Sequence, residues 1–193
     1  PDKGRIIIEN KDMTGKSVSE YRKQKVSLIP EDRYLTGSSK VSSLAENMLM
    51  GNDEKDEFCR HGIIDWKNVH MFADKILNQF QVAYTSSSQR IGELSGGNAQ
   101  KAIVAREMTG NAEFFIADEP TRGIDIGAIE FIHNKILEKR SEGYGILLVS
   151  SELSEILELS DRIYVIYDGR ITGEFWRGSI EESELGFRML GGL

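Results

Sequence analysis

Cysteine is nearly absent: Cys59 stands alone, which excludes a disulfide framework or a cysteine metal site and fits a reducing compartment. The three histidines, His61, His70 and His133, fall at no ligand spacing and read as surface or packing residues. Long apolar runs are also missing. Stretches such as Ile146-Leu147-Leu148-Val149 fall far short of the roughly 18–20 residues that cross a bilayer, so any membrane role is peripheral. Positive charge is in the minority, with 24 lysines and arginines against 31 aspartates and glutamates. The resulting net charge of −7 argues against nucleic acid as the main partner, because binding phosphates over a broad surface needs a basic face. The opening residues Pro1-Asp2-Lys3-Gly4-Arg5 hold neither a signal peptide nor an initiator methionine and read as a cut end. No repeat or low-complexity segment appears. What is present is 193 residues with 39% apolar content, enough for one globular domain with a real core.

Hydrophobic periodicity orders the chain. β-branched runs at 5–9 and 26–29 predict strands, with a helical or turn-like segment at 19–25 between them. A short helix is predicted over 41–50, capped by Ser42 or Ser43 and stopped at Gly51, followed by an exposed loop over 52–60. Residues 67–80 place Val69, Phe72, Ala73, Ile76, Leu77 and Phe80 on one helical face. From Ser95 onward the chain alternates: helix 97–108, strand 113–118, helix 126–142, strand 145–150, helix 152–159, strand 162–167. Such alternation implies parallel strands joined by right-handed helical crossovers. The pair Asp168-Gly169 should then take the chain out of that sheet through a hairpin, before a last helix at 180–190.

The chemistry concentrates in two places. In Leu94-Ser95-Gly96-Gly97-Asn98-Ala99-Gln100, two glycines after a serine let the backbone approach a phosphate, and the amides opening the next helix face it with the positive end of the helix dipole. Beyond it, Phe114-Phe115-Ile116-Ala117 reads as a buried strand whose carboxyl end carries Asp118 and Glu119, where open α/β sheets bind ligands. One carboxylate there can hold a metal ion and the other can activate water. A G-x-x-x-x-G-K-S/T phosphate loop is not found. Thr14-Gly15-Lys16-Ser17 matches only its last three letters, with Asn10 where the leading glycine should be, and reads as an ordinary turn.

The heptapeptide, the apolar-Asp118-Glu119-Pro120-Thr121 strand end and Gly123-Ile124-Asp125 behind it together resemble the nucleotide-binding domain of ATP-binding-cassette (ABC) proteins, over all 193 residues. Pro30-Glu31-Asp32-Arg33, Thr121-Arg122-Gly123-Ile124-Asp125 and Ser150-Ser151-Glu152 are similar to the second cassette of simple-sugar importers with two fused cassettes. The stretches from Gly127 to His133 and from Ile63 to Trp66 resemble the nucleoside-importing branch. The resemblance implies an α/β, P-loop NTPase-like fold with an inserted helical subdomain, beginning just past its own phosphate loop. Its divisions would be 1–37 (end of the N-terminal β-subdomain), 38–95 (helical subdomain and linker), 96–175 (core) and 176–193 (C-terminal helix).

The same resemblance implies the cofactors ATP and Mg2+ and assigns roles. Asp118 would be the magnesium-side carboxylate, acting through water, and Glu119 the general base. Ser95, Gly96 and Gly97 would contact the γ-phosphate of ATP held by the opposite cassette. Gln100 either supports that loop or lies on the helix surface. Asp125 sits in a loop expected to cross the cassette interface, and it also suits a helix cap. Glu31 replaces a neutral glutamine near the triphosphate, and Ser151 replaces the histidine that touches the γ-phosphate, so this half's own site is expected to hydrolyse slowly or not at all. Implied partners are the other cassette, integral membrane permease subunits and, indirectly, an extracellular solute-binding lipoprotein, with the protein at the cytoplasmic face of the membrane. Val41, Leu44, Met48 and Leu49 would either line the permease contact or pack in the core. Two other functions stay open: a non-hydrolysing half that completes a partner's site, and a soluble ABC ATPase of translation or DNA maintenance.

Overall fold

The computed structural model describes residues 3–53 and 55–192. Strands β1 (Ile7–Ile8) and β2 (Lys11–Asp12) form a hairpin whose turn residues Glu9 and Asn10 both take positive φ, 47° and 63°. Thr14 and Ser17 are spent locally. Thr14 Oγ1 accepts the Ile6 amide at 2.9 Å, and Ser17 forms a capping box with Glu20 at the start of helix α1 (Val18–Lys23). The segment is therefore a turn and a cap, as its sequence indicated, and cradles nothing.

Strand β3 (Val26–Ile29) follows, then α2 (Leu44–Leu49), capped by Ser43 and Glu46. A small hairpin, β4 (Cys59–Arg60) with β5 (Ile63–Ile64), leads into α3 (Trp66–Gln79), capped by Asp65. A 3-10 turn at Ile91–Glu93 delivers the chain to α4 (Gly96–Thr109). Then come β6 (Phe114–Asp118), α5 (Ile126–Ser141), β7 (Gly145–Val149), α6 (Leu153–Leu159), β8 (Arg162–Tyr167), β9 (Arg170–Trp176) and α7 (Glu182–Met189).

β3, β6 and β7 make a parallel sheet in that order, with Ile29 opposite Ala117 and Asp118 opposite Val149. The carboxyl ends of all three strands thus meet at one edge, where Glu31, Asp118, Glu119 and Ser151 follow. The core lies between this sheet and the helices. Ile29, Leu44, Met48, Ile76, Leu77, Ile91, Ile103 and Phe115 are all essentially inaccessible to solvent. At roughly 1.5–3 kcal/mol for each fully buried large side chain, this cluster is the main stabilising term. α4 runs through its middle, with Ala99, Ala102, Ile103, Val104 and Ala105 at 0% exposure, which is why its start is held so firmly.

Two sequence expectations are corrected. The segment 52–60 is exposed only in part: Phe58 is buried with its ring tilted against Phe72 of α3, centroids 4.7 Å apart, and Asn52 is buried with its amide on the Met48 carbonyl, while Asp53, Asp56, Glu57 and Arg60 are exposed. The polar residues around them hid two anchors. Strand β8, expected in the parallel sheet, pairs among the described residues only with β9. Its Ile163 and Val165 instead join Leu185 of α7 in a second core cluster, lined by Leu153 and Ile156 of α6. β7 is left at the edge of its sheet with Leu147 and Val149 half exposed. The hairpin itself is as expected, with Asp168 and Gly169 both at positive φ. Leu44, Met48 and Leu49 belong to the core, and of that group only Val41, 76% exposed, remains free for a contact.

Beneath the sheet, Glu107 of α4 is fully buried between two arginines. It accepts from Arg22 at 3.1 and 3.2 Å, from Arg106 Nε at 2.9 Å and from the Ser27 hydroxyl. Arg106, itself buried, also reaches the Gly37 carbonyl at 2.8 Å. The cluster ties α1, β3, α4 and the turn before α2 together.

Candidate nucleotide-facing site

The start of α4 is built by Ser95. Its extended backbone (φ −60°, ψ 155°) makes it the N-cap, and its hydroxyl oxygen accepts from the Asn98 side chain at 3.0 Å and, more weakly, from the Asn98 amide at 3.4 Å. Ser95 is exposed, Gly96 half-buried and Gly97 buried. Asp125 caps the neighbouring helix α5, accepting the Ala128 amide at 3.0 Å, and its other carboxylate oxygen lies over Gly97. A Cβ on Gly97 would collide with that carboxylate and stand 3.0 Å from the Ala128 Cβ. Glycine is required there because α4 and α5 touch. Gly97→Ala is accordingly expected to cost about 1–3 kcal/mol despite alanine's better helix propensity. Asp125→Ala in the same chain should recover part of that loss in a double-mutant cycle of denaturant unfolding, and strict additivity would show that the two residues do not meet.

The second half of the site is the loop 118–125. Glu119 holds a left-handed backbone (φ 45°), an uncommon conformation for a non-glycine residue. Two bonds fix it there: its amide donates to the Val149 carbonyl at 2.8 Å, and its Oε1 accepts the Ser151 amide at 2.8 Å. Ser151 thus takes part through its main chain, while its side chain is solvent-exposed. Gln100 is buried and donates to the Pro120 carbonyl at 2.8 Å, so it is not a surface residue. It clamps the acidic loop to α4. Thr121 is buried as well and donates to Glu155 Oε1 at 2.8 Å; His133 lies between Glu155 (3.0 Å) and Glu158 (3.2 Å).

Acidic side chains gather at the strand ends. Burial, the Glu31 carboxylate and the Glu119 carboxylate together push the Asp118 carboxyl above its ordinary value. Glu31 is not simply an added negative charge, because it forms an ion pair with Arg122. No group of three or more histidine, cysteine or acidic side chains is arranged to hold a metal ion among the described residues. This donor set fits Mg2+, which keeps most of its waters and takes one or two carboxylates together with substrate phosphates. Asp118 would hold it through water, and the ion would supply charge neutralisation for the phosphates.

A raised carboxyl binds its proton more tightly folded than unfolded, so stability falls as pH rises through the folded value. Asp118→Asn should therefore raise the Tm of the ligand-free chain at neutral pH, with the gain vanishing as pH drops below the ordinary carboxylate value. A gain that is the same at low pH would exclude this cause.

The structure brings Glu31, Asp118, Glu119 and the Ser151 amide to one sheet edge, with Gln100 behind it. Among the described residues no hydrogen bond or ion pair joins Ser95, Gly96 or Gly97 to Asp118 or Glu119. The contacts of Arg33 with Gly96 and Arg122, and those joining Thr121, Glu155 and His133, could not be read from the sequence, because the partners lie far along the chain.

A serine-capped glycine turn opening a buried helix, beside two carboxylates at the end of a parallel strand, defines an α/β domain of the nucleotide-binding cassette type. The chain belongs to the ABC transporter family, whose model matches residues 1–122. The Nucleoside import ATP-binding protein NupA of Lactococcus lactis subsp. cremoris is 39% identical over 191 residues, covering 99% of this chain and 38% of that protein. The Glucose import ATP-binding protein TsgD13 of Haloferax volcanii is 36% identical over 191 residues, 98% of this chain and 35% of that protein. The chain thus spans well under half the length of these curated relatives. Among solved structures, the dimeric ATP-binding cassette MJ0796 bound to ADP and Pi superposes with a TM-score of 0.73 at 19% identity, over 93% of this chain and 76% of that one. The mixed α/β cassette fold is the one expected.

Proposed function

We propose that the chain is the second cassette of an energy-coupling ATPase subunit that drives an importer of nucleosides or simple sugars. In this reading two cassettes close head to tail, and Ser95, Gly96 and Gly97 contact the terminal phosphate of ATP seated in the opposite cassette. The observation that carries it is the start of α4: a glycine turn capped by the exposed Ser95, with the positive helix end behind it, anchored by a helix that is buried almost throughout. The names of NupA and TsgD13 support the substrate class.

The site on this chain's own carboxylates works weakly in the same proposal. Glu119 would polarise water and Asp118 would hold Mg2+, but the Ser151 amide is already bonded to Glu119, which leaves only a short, uncharged hydroxyl where the resemblance places a histidine. Isolated, this polypeptide is expected to hydrolyse ATP poorly. Residues 38–90 would grip the permease at the cytoplasmic face of the membrane, where Val41, 76% exposed, is free to touch it. No helix among the described residues is long and apolar enough to cross a membrane.

Affinity capture of the full-length protein from detergent-solubilised membranes tests the reading. A co-purifying integral permease with nucleoside- or sugar-stimulated ATP hydrolysis is expected. Co-purification with ribosomes instead would place the protein among soluble ABC ATPases.

A further inference from the structure

We propose that Arg33 is a positioning residue, a strut that holds the serine-glycine-glycine turn and the loop after Glu119 at a fixed separation and couples both to the turn at 31–38. Its guanidinium donates through Nη1 to the Gly96 carbonyl at 3.1 Å and through Nη2 to the Arg122 carbonyl at 2.7 Å. One planar fork therefore bridges two segments that lie 63 and 89 residues away in sequence. A guanidinium suits this work because its donors are fixed in a plane, whereas an ammonium is a single point.

The surroundings are shaped to admit it. A Cβ on Gly96 would stand 3.2 Å from Nη1, and one on Gly123 would stand 3.3 Å from Nη2. Gly123 also has φ +67°, which adds a second reason for glycine there. The base of the strut is equally fixed. The Asp32 side chain accepts the Tyr34 and Leu35 amides at 2.9 and 2.8 Å, and the Asp32 carbonyl accepts the Gly37 amide at 3.0 Å. Ser38 donates to the Arg33 carbonyl at 2.6 Å. The ion pair of Glu31 with Arg122 links the same turn and loop a second time. The turn is thus a stiff block, with Leu35 and Thr36 on its outside, and Arg33 is the arm that reaches inward.

The consequence rests on the function proposed above. A displacement at 31–38, caused by whatever binds its exposed side, moves the phosphate-facing turn and the acidic loop together. Arg33 touches neither nucleotide nor reacting water in this scheme and acts through the two carbonyls.

Two measurements on Arg33→Gln and Arg33→Lys test it. Amide hydrogen exchange in the full chain follows Ala99, bonded to the Ser95 carbonyl, and Arg122, bonded to the Glu119 carbonyl. Arg33→Gln should speed both about tenfold while β3 and β6 keep their protection, and Arg33→Lys should restore at most one of the two. Acceleration by Arg33→Gln at only one site, at neither, or evenly across the sheet would overturn the strut, as would restoration of both sites by Arg33→Lys. In the assembled full-length transporter, Arg33→Gln should lower kcat for ATP about tenfold with KM unchanged, and Arg33→Lys should not rescue it. Full rescue by lysine, or a change confined to KM, would likewise overturn it. Lack of coupled ATP hydrolysis in the wild-type assembly would instead remove the proposed function and leave the exchange result to judge Arg33.

Discussion

In the full-length assembly, Ser95→Asp should reduce ATP-driven transport by at least about a hundredfold, the loss typical when one preorganised stabilising contact is removed from a transferring group. Glu119→Gln should change it by less than about threefold, under about 0.7 kcal/mol of barrier. Aspartate keeps a side-chain oxygen for the Asn98 amide, so the cap of α4 and the Tm should hold while a negative charge replaces the hydroxyl at the phosphate-facing turn. Glu119→Gln preserves an oxygen for the Ser151 amide and removes only the capacity to take a proton. The contrast follows from the proposed asymmetry of the surface, with a firmly anchored glycine turn on one side and, on the other, an Asp118 carboxyl raised by burial and by the neighbouring Glu31 and Glu119. Equal losses for the two variants, measured as solute uptake at saturating ATP, would contradict it.

The second large effect is on stability. Glu107→Ala is expected to cost about 3–5 kcal/mol, because it leaves Arg106 buried without its counter-charge. Against the roughly 5–15 kcal/mol that holds a domain together, this is a major fraction. Glu107→Gln keeps the shape and should cost less. Burial works to raise the Glu107 carboxyl, but Arg106, Arg22 and the bonds from Arg22 and Ser27 outweigh it and hold it below the ordinary value. A lowered carboxyl stabilises the fold above its unfolded value and loses that contribution as pH falls through the folded one. Wild-type stability should therefore drop more steeply than that of Glu107→Gln below about pH 4.5. A Glu107→Ala chain within about 1 kcal/mol of wild type in urea unfolding would show the cluster to be dispensable.

How far the sequence carries depends on distance along the chain. Strand β3 and helix α3 were legible because periodicity is local: Val69, Ala73 and Ile76 recur on the face that α3 buries. The alternation after Ser95 is seen in α4, β6, α5, β7 and α6 within a residue or two at each end. Phe58 was not legible, since one aromatic in a polar segment has no period and its burial depends on Phe72. For the same reason Gln100 could be read two ways until Pro120 was seen beside it.

By itself, the sequence determined the identity of the chemistry: a glycine turn able to approach phosphate, two carboxylates at a strand end, and the order of elements that delivers them. Those follow from residue type and short spacing, which a linear text records. Only the tertiary structure decided which groups are already engaged: Asp125 above Gly97, the Ser151 amide on Glu119, Arg122 on Glu31 and the fork of Arg33 across two loops. It also decided that β8 stands apart from the parallel sheet. Each of these is a contact between residues tens of positions apart, set by how helices and strands pack and carried by no local pattern.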